Sequence, residues 1–107
     1  MKLFILIRRD PAETHDEFMD WWAGDHAELA SRMPGLGYYA LHEIVGSMGR
    51  VPEWDGIAEL TFESSDAARA AFDSPEGRAT LDHATAGDRK GARRMMETTL
   101  MRVVRDA

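Results

Sequence analysis

Apolar positions along the chain fall into short blocks whose spacing changes from unbroken runs to a period of about 3.6 residues and back. Leu3-Phe4-Ile5-Leu6-Ile7 is a continuous apolar run, as in a strand covered on both faces. Asp10-Pro11 ends it, because Pro11 has no N–H to give to a ladder. Thr14-His15-Asp16-Glu17 has the form of a capping box and predicts a helix start. At about 100° per residue, Phe18, Trp22, Leu29 and Met33 project onto one narrow stripe, with Asp25 inside it and His26 at its edge. Pro34-Gly35 stops that helix. Tyr38 to Val45, rich in aromatic and β-branched residues, predicts a second strand. The glycine- and proline-bearing stretch from Gly46 to Pro52 predicts a loop, and Asp55 to Phe62 a third strand, paired with the second as an antiparallel hairpin. Ser64-Ser65-Asp66 caps a second helix with Ala67, Ala68, Ala71 and Phe72 on its apolar side. Ser74-Pro75-Glu76 opens a short helix reaching about Leu81. Ala84 to Arg94 follows no period, and Glu97 to Val104 reads as the last strand.

The resulting order, β-α-β-β-α-β, is that of the ferredoxin-like split βαβ, an α+β fold with a four-stranded antiparallel sheet and its helices on one face. All of residues 1–107 are expected to form one domain. The first strand carries apolar side chains on both parities, Phe4 and Leu6 against Leu3, Ile5 and Ile7. Helices on one face leave the other uncovered, and no chain remains to cover it. The expected cover is the sheet of a second copy, giving a homodimeric α+β barrel.

Composition narrows the functions. Thirteen Lys+Arg against nineteen Asp+Glu give a net charge of −6, which argues against a nucleic-acid partner. No apolar run approaches the ~20 residues of a membrane span, so no membrane partner is expected. The opening apolar run is short, ends in Arg8-Arg9 and lacks a small-residue cleavage site, so it reads as a strand and not a signal peptide. Cysteine is absent, which removes disulfides, thiol nucleophiles and cysteine-ligated zinc, and fits a reducing cytoplasm. No two histidines have the i,i+4 spacing of a helical zinc site, and no metal is expected. Dinucleotide, P-loop and nucleophile-elbow patterns are absent too.

His26 is the candidate for chemistry. A histidine beside an apolar stripe is partly desolvated, and either burial or a neighbouring carboxylate moves its proton affinity, which suits a general base or acid near neutral pH. The ordinary alternative is a structural histidine. Asp88 lies between Gly87 and Gly91, which allow a close backbone approach or a simple Asx-turn. Arg8 ends the first strand on the parity of Phe4 and Leu6 and could grip a carboxylate or pair with an acid of a second copy. Tyr38 and Tyr39 face opposite sides of their strand, and one could bring its hydroxyl to a cavity. His15 is expected exposed in the capping turn, and His83 with Asp82 resembles a loop pair.

Together, Arg8 after the apolar strand, Phe18-x-x-x-Trp22-x-x-x-His26-Ala27, Pro34-Gly35-Leu36 leading to Tyr39, and Asp55-Gly56-Ile57-Ala58-Glu59-Leu60 with Phe62 resemble the EthD-like family of the dimeric α+β barrel superfamily. The resemblance spans Leu3 to Val104. It implies a homodimer with a small cavity in each protomer between sheet and helices. It places His26 at the cavity's polar centre, with Tyr39 and Asp88 as catalytic companions and Arg8, Phe18 and Trp22 binding the substrate. The segment Gly87-Asp88-Arg89-Lys90-Gly91 departs from the family pattern, in which an aromatic residue often follows the aspartate. Neighbouring branches include cofactor-free isomerases, polyketide cyclases or dehydratases, and oxygenases.

Three functions follow. The first is a cofactor-free isomerase, cyclase or dehydratase, with His26 as general base on a small apolar or aromatic carbonyl compound such as a lactone or polyketide-like ring. The second is a non-catalytic dimer that binds or carries a small hydrophobic metabolite, as an accessory to a degradation pathway. The third is a structural dimer whose cavity falls well below the ~300 Å³ of usual ligand sites.

Overall fold

A computed structural model describes residues Met1–Ala107. Four strands form one antiparallel sheet: β1 (Lys2–Arg8), β2 (Tyr39–Glu43), β3 (Gly56–Thr61) and β4 (Ala92–Thr98), in the spatial order β2-β3-β1-β4. Between β1 and β2 runs a long helical arm made of α1 (His15–Trp21), a π-helical turn (Trp22–His26) and α2 (Ala27–Ala30). Between β3 and β4 lie α3 (Ser65–Asp73) and α4 (Pro75–Ala84). This is the ferredoxin-like α+β arrangement expected from the sequence.

The register explains the two apolar parities of β1. Leu3, Ile5 and Ile7 lie opposite Leu60, Ala58 and Gly56 of β3, on the face that packs against the helices. The core there is Leu3, Phe18, Trp22, Ala30, Met33, Ala58, Leu60 and Phe62, with Ala68 and Ala71 from α3. Gly56 makes one of these contacts possible: a Cβ at this position would run into the Trp22 ring. On the other face Phe4 lies between Glu59 and Met96, and Leu6 between Ile57 and Arg94. Phe4, Leu6, Ile57 and Met96 are only half-buried, the outcome expected of a sheet face that the chain itself does not cover.

Caps form where the sequence places them. The Thr14 hydroxyl accepts from the Glu17 amide, and the Glu17 carboxylate accepts in return from the Thr14 amide. Ser64 caps α3 and Ser74 caps α4 through the amides of Ala67 and Gly77. The helix opened by Pro75 runs on to Ala84, so His83 is helical and not part of a loop.

Two elements differ from the sequence reading. The last strand is Ala92–Thr98, and not Glu97 to Val104. Its position is fixed by pairing with β1 from Lys2↔Thr98 to Arg8↔Ala92, and as an edge strand it tolerates Arg93 and Arg94. Leu100, Met101, Val103 and Val104 lie beyond it, exposed. The second difference is the π-turn. A wide turn absorbs one extra residue, so everything after it faces as though numbered one lower. At about 100° per residue that slip moves His26, Ala30 and Met33 to within about 40° of Phe18, and carries Asp25 out by about 120°. The observed burial follows the slipped phase: His26, Ala30 and Met33 are buried, Leu29 is half-buried and Asp25 is exposed.

Candidate functional site

The π-turn delivers His26 into a cavity between the helices and the sheet. Its wall includes Ile5, Ile7, Phe18, Trp22, Tyr39 and Leu60, and its polar groups come chiefly from His26, Thr80, Arg89 and Arg93. The enclosed volume is about 80 Å³. A groove of about 400 Å³ between α3 and β4 runs alongside, and Phe72, Leu81, Arg93 and Met95 line both. The inner cavity alone is well below the ~300 Å³ of common ligand sites, so anything larger than a few heavy atoms must also use the groove.

His26 is 7% exposed, and its Nδ1 lies 3.0 Å from Nδ1 of His83. The two rings are parallel to within 10°, and both stack on Trp21, with centroids 4.5 and 5.1 Å from its ring. One Nδ1 must carry a hydrogen and donate it to the lone pair of the other. Burial pushes the His26 pKa down to about 4, and the charges of His83, Arg89 and Arg93 act in the same direction. No carboxylate offsets them, so His26 is neutral at pH 7 and does not titrate near neutrality as its sequence neighbours suggest.

Tyr39 lines the same cavity, and burial raises its hydroxyl to about 12. It therefore keeps its proton and can donate it in a hydrogen bond. Phe18 and Trp22 form buried wall, 1% and 2% exposed. Arg8 borders the cavity at the end of β1, but its guanidinium turns to the other sheet face, 3.8 Å from Glu53 and over the Trp54 ring at 5.1 Å.

Asp88 is exposed and lies outside the cavity wall, so the fold does not bring it to His26. Left-handed backbone at Gly87 and Asp88, φ 66° and 64°, turns the chain, and Arg89 enters the site in its place. The Arg89 guanidinium lies 3.7 Å from the Trp21 ring centroid and pairs with Glu13 at 2.7 Å. His83, Arg89 and Arg93 are thus site residues to which the sequence did not point. A helix running three residues past Leu81 would have revealed the first, because it sets His83 on a helical turn instead of in a loop.

A second polar cluster sits just before the start of β3. Asp55, 4% exposed, accepts from the Arg9 amide at 2.8 Å, the Arg9 guanidinium at 2.6 Å and His15 Nδ1 at 2.7 Å. His15 Nε2 lies 2.8 Å from Glu43. Burial pushes the Asp55 carboxyl up, but these donors outweigh it and hold it below the usual range; Asp55 and Glu43 raise the imidazole of His15. His15 is therefore half-buried and ion-paired, not exposed as its capping position suggests. His15, Asp16 and Glu43 offer donor atoms within 4.8 Å of one another, as a metal would need. Both ring nitrogens of His15 are already engaged by carboxylates, so the cluster is accounted for as a staple between α1 and the β2–β3 hairpin.

No helix is long and apolar enough to cross a membrane. No curated protein matches the chain. Among solved structures it is similar to an EthD family protein from Bacillus halodurans C-125. The two are 22% identical, with a TM-score of 0.74, over 92% of this chain and 100% of that one. It is similar also to a dimeric ferredoxin-like protein of unknown function from Thermobifida fusca YX (22% identity, TM-score 0.60, 89% of each chain). A third is SnoaB, a cofactor-independent oxygenase from Streptomyces nogalater, at 17% identity and a TM-score of 0.57 over 94% of this chain and 95% of that one. These likenesses agree in fold. The EthD domain model matches residues 10–89, from the end of β1 through Arg89, and the chain belongs to the EthD family.

Proposed function

We propose that the chain is a homodimeric enzyme that moves a proton on a small apolar or aromatic carbonyl compound without a cofactor, with His26 as the base. The observation that carries this reading is the His26–His83 contact inside a mainly apolar cavity. A buried neutral imidazole is an acceptor ready at pH 7, and the half-buried His83 gives its proton a route toward solvent. Tyr39, held protonated, would donate to the oxygen on which charge develops. The named activity of SnoaB, a cofactor-independent oxygenase on the same fold, supports chemistry of this kind. The half-covered sheet face and the dimeric relative from Thermobifida fusca support the second copy.

The low proton affinity of His26 narrows the substrate. General bases work best with a pKa near the operating pH. A base near 4 is always free but pulls weakly. It suits an acidic C–H or O–H, such as that of a 1,3-dicarbonyl or a hydroxyquinone, and not a simple ketone. Isomerisation, dehydration and ring closure all pass through the same enolate, so the site favours the class and not one member. The same weak pull favours a second reading, a dimer that binds or carries such a compound unchanged.

Deuterium exchange followed by NMR separates the two. Wild-type protein incubated in D2O with a panel of lactones, 1,3-dicarbonyls and hydroxyquinones should label one class at its acidic carbon. His26→Ala should abolish labelling while the circular dichroism spectrum is kept. Compounds that bind but are recovered unlabelled would make the protein a carrier. Loss of the fold in His26→Ala would return His26 to a structural role.

A further inference from the structure

The cavity wall has a charge pattern opposite to that of the protein. The chain carries nineteen acids and a net charge of −6, yet the wall contains Arg8, Arg89 and Arg93 and no aspartate or glutamate. The Arg8 guanidinium is committed to Glu53 and Trp54 on the other sheet face. Arg93 lies opposite Ile7 on the helix-facing side of β4 and lines both the cavity and the groove. It enters none of the ion pairs that occupy Arg8, Arg9, Arg69 and Arg89.

Arg89 is the more telling residue. Its side chain is 17% exposed, and one end is neutralised by Glu13. Its Nε is sealed from solvent and has no hydrogen-bond acceptor. A buried guanidinium N–H left unbonded is costly to the fold, and such a group in a native structure calls for a partner. Beside it stand the imidazoles of His26 and His83 and the face of Trp21, none of which supplies a negative charge.

Resting on the small-molecule reading above, we infer that the ligand of this cavity is an anion: a small aromatic or apolar molecule bearing one delocalised oxyanion, carboxylate or phenolate, held by Arg89 and Arg93 with its ring against Trp21. An arginine fork matches such an oxyanion in geometry as well as charge. The anion also opposes the positive charges of Arg89 and Arg93, which act alongside burial to depress His26, so its binding moves the proton affinity of His26 upward. Ligand charge and base strength are thereby coupled in one site.

The test is binding by calorimetry and histidine NMR, with benzoate and 4-nitrophenolate as anionic probes and benzamide and nitrobenzene as their neutral counterparts. At least one anion should bind about tenfold or more tightly than its neutral counterpart, the margin of one charge-assisted contact. It should also raise the His26 titration midpoint. Arg93→Gln should erase the preference and Arg93→Lys keep part of it. Arg89→Gln should erase it too, but that variant also loses the Glu13 pair, so Arg93 carries the decision. Which anion binds distinguishes carboxylate from phenolate. Equal binding of anion and neutral counterpart, or an Arg93→Gln variant with unchanged preference, overturns the inference and leaves the small-molecule site standing. Failure of all four probes to bind overturns both.

Discussion

Protonating His26 should cost the protein much of its stability in mild acid. The folded-state pKa is about 4 and the ordinary value is 6.5, so between these limits the unfolded chain binds a proton that the folded chain refuses. Stability therefore falls as pH drops through 6.5 and levels off below about 4. At about 1.4 kcal/mol per pKa unit, the loss is about 2 kcal/mol by pH 5 and about 3 kcal/mol by pH 4. For a small domain that is a large share of the total. His15 works in the opposite direction: its raised pKa adds stability that is fully present below 6.5 and lost as pH rises through the folded value. The wild-type curve alone mixes the two, so the measurement is a difference. His26→Phe keeps an aromatic ring for Trp21 and cannot be protonated. Urea unfolding of both proteins from pH 7 to pH 4 should show their stability gap moving by about 3 kcal/mol in favour of the variant. Any pH-independent packing cost of phenylalanine cancels in that shift. A gap that stays flat across the range would mean that His26 is solvated and free to titrate, and the buried-base argument would fail with it.

Other perturbations test separate parts of the structure. Gly56→Ala forces a methyl group into the Trp22 ring and should destabilise the fold by about 1–3 kcal/mol in urea or thermal melts; an unchanged melting point would contradict the strand–helix contact. Asp55→Asn leaves Arg9 and His15 without their buried carboxylate and should cost about 1–3 kcal/mol at pH 7. It should also lower the titration midpoint of His15 in NMR, and a midpoint that does not move would remove the Asp55–His15 bond. Leu6→Glu puts a charge in the middle of the half-covered sheet face. If that face meets a second copy, sedimentation should find dimer for the wild type and monomer for the variant, whereas two identical profiles would place the interface elsewhere.

Most of the fold was legible because local rules and tertiary packing agree. The capping box at Thr14, the apolar run of β1 and the proline at the start of α4 each fix an element, and the fold keeps them all. β4 was misplaced because Leu100, Met101, Val103 and Val104 look more strand-like than Ala92-Arg93-Arg94. Pairing with β1 decides that register, and pairing is not a local property. The site was half legible. His26, Tyr39, Phe18 and Trp22 lie on the elements whose patterns are clearest, and all four reach the cavity wall. His83 and Arg89 were not legible, because their relation to His26 spans 57 residues in one case and hangs on the turn at Gly87 and Asp88 in the other. Asp88 looked suitable as a residue type, but the backbone turns at that position and gives the place to its neighbour.

The π-turn also bears on how this helix can be compared between chains. A wide turn is what one surplus residue looks like in a helix anchored at both ends. Shortening the turn by one residue, at Gly24 for example, and closing it to a regular helix would leave His26, Ala30 and Met33 facing as they do now. Two chains differing in length by one residue here can thus present the same imidazole to the same cavity. An alignment drawn through the helix without a gap would then pair His26 with the wrong neighbour and report a missing base where one is present.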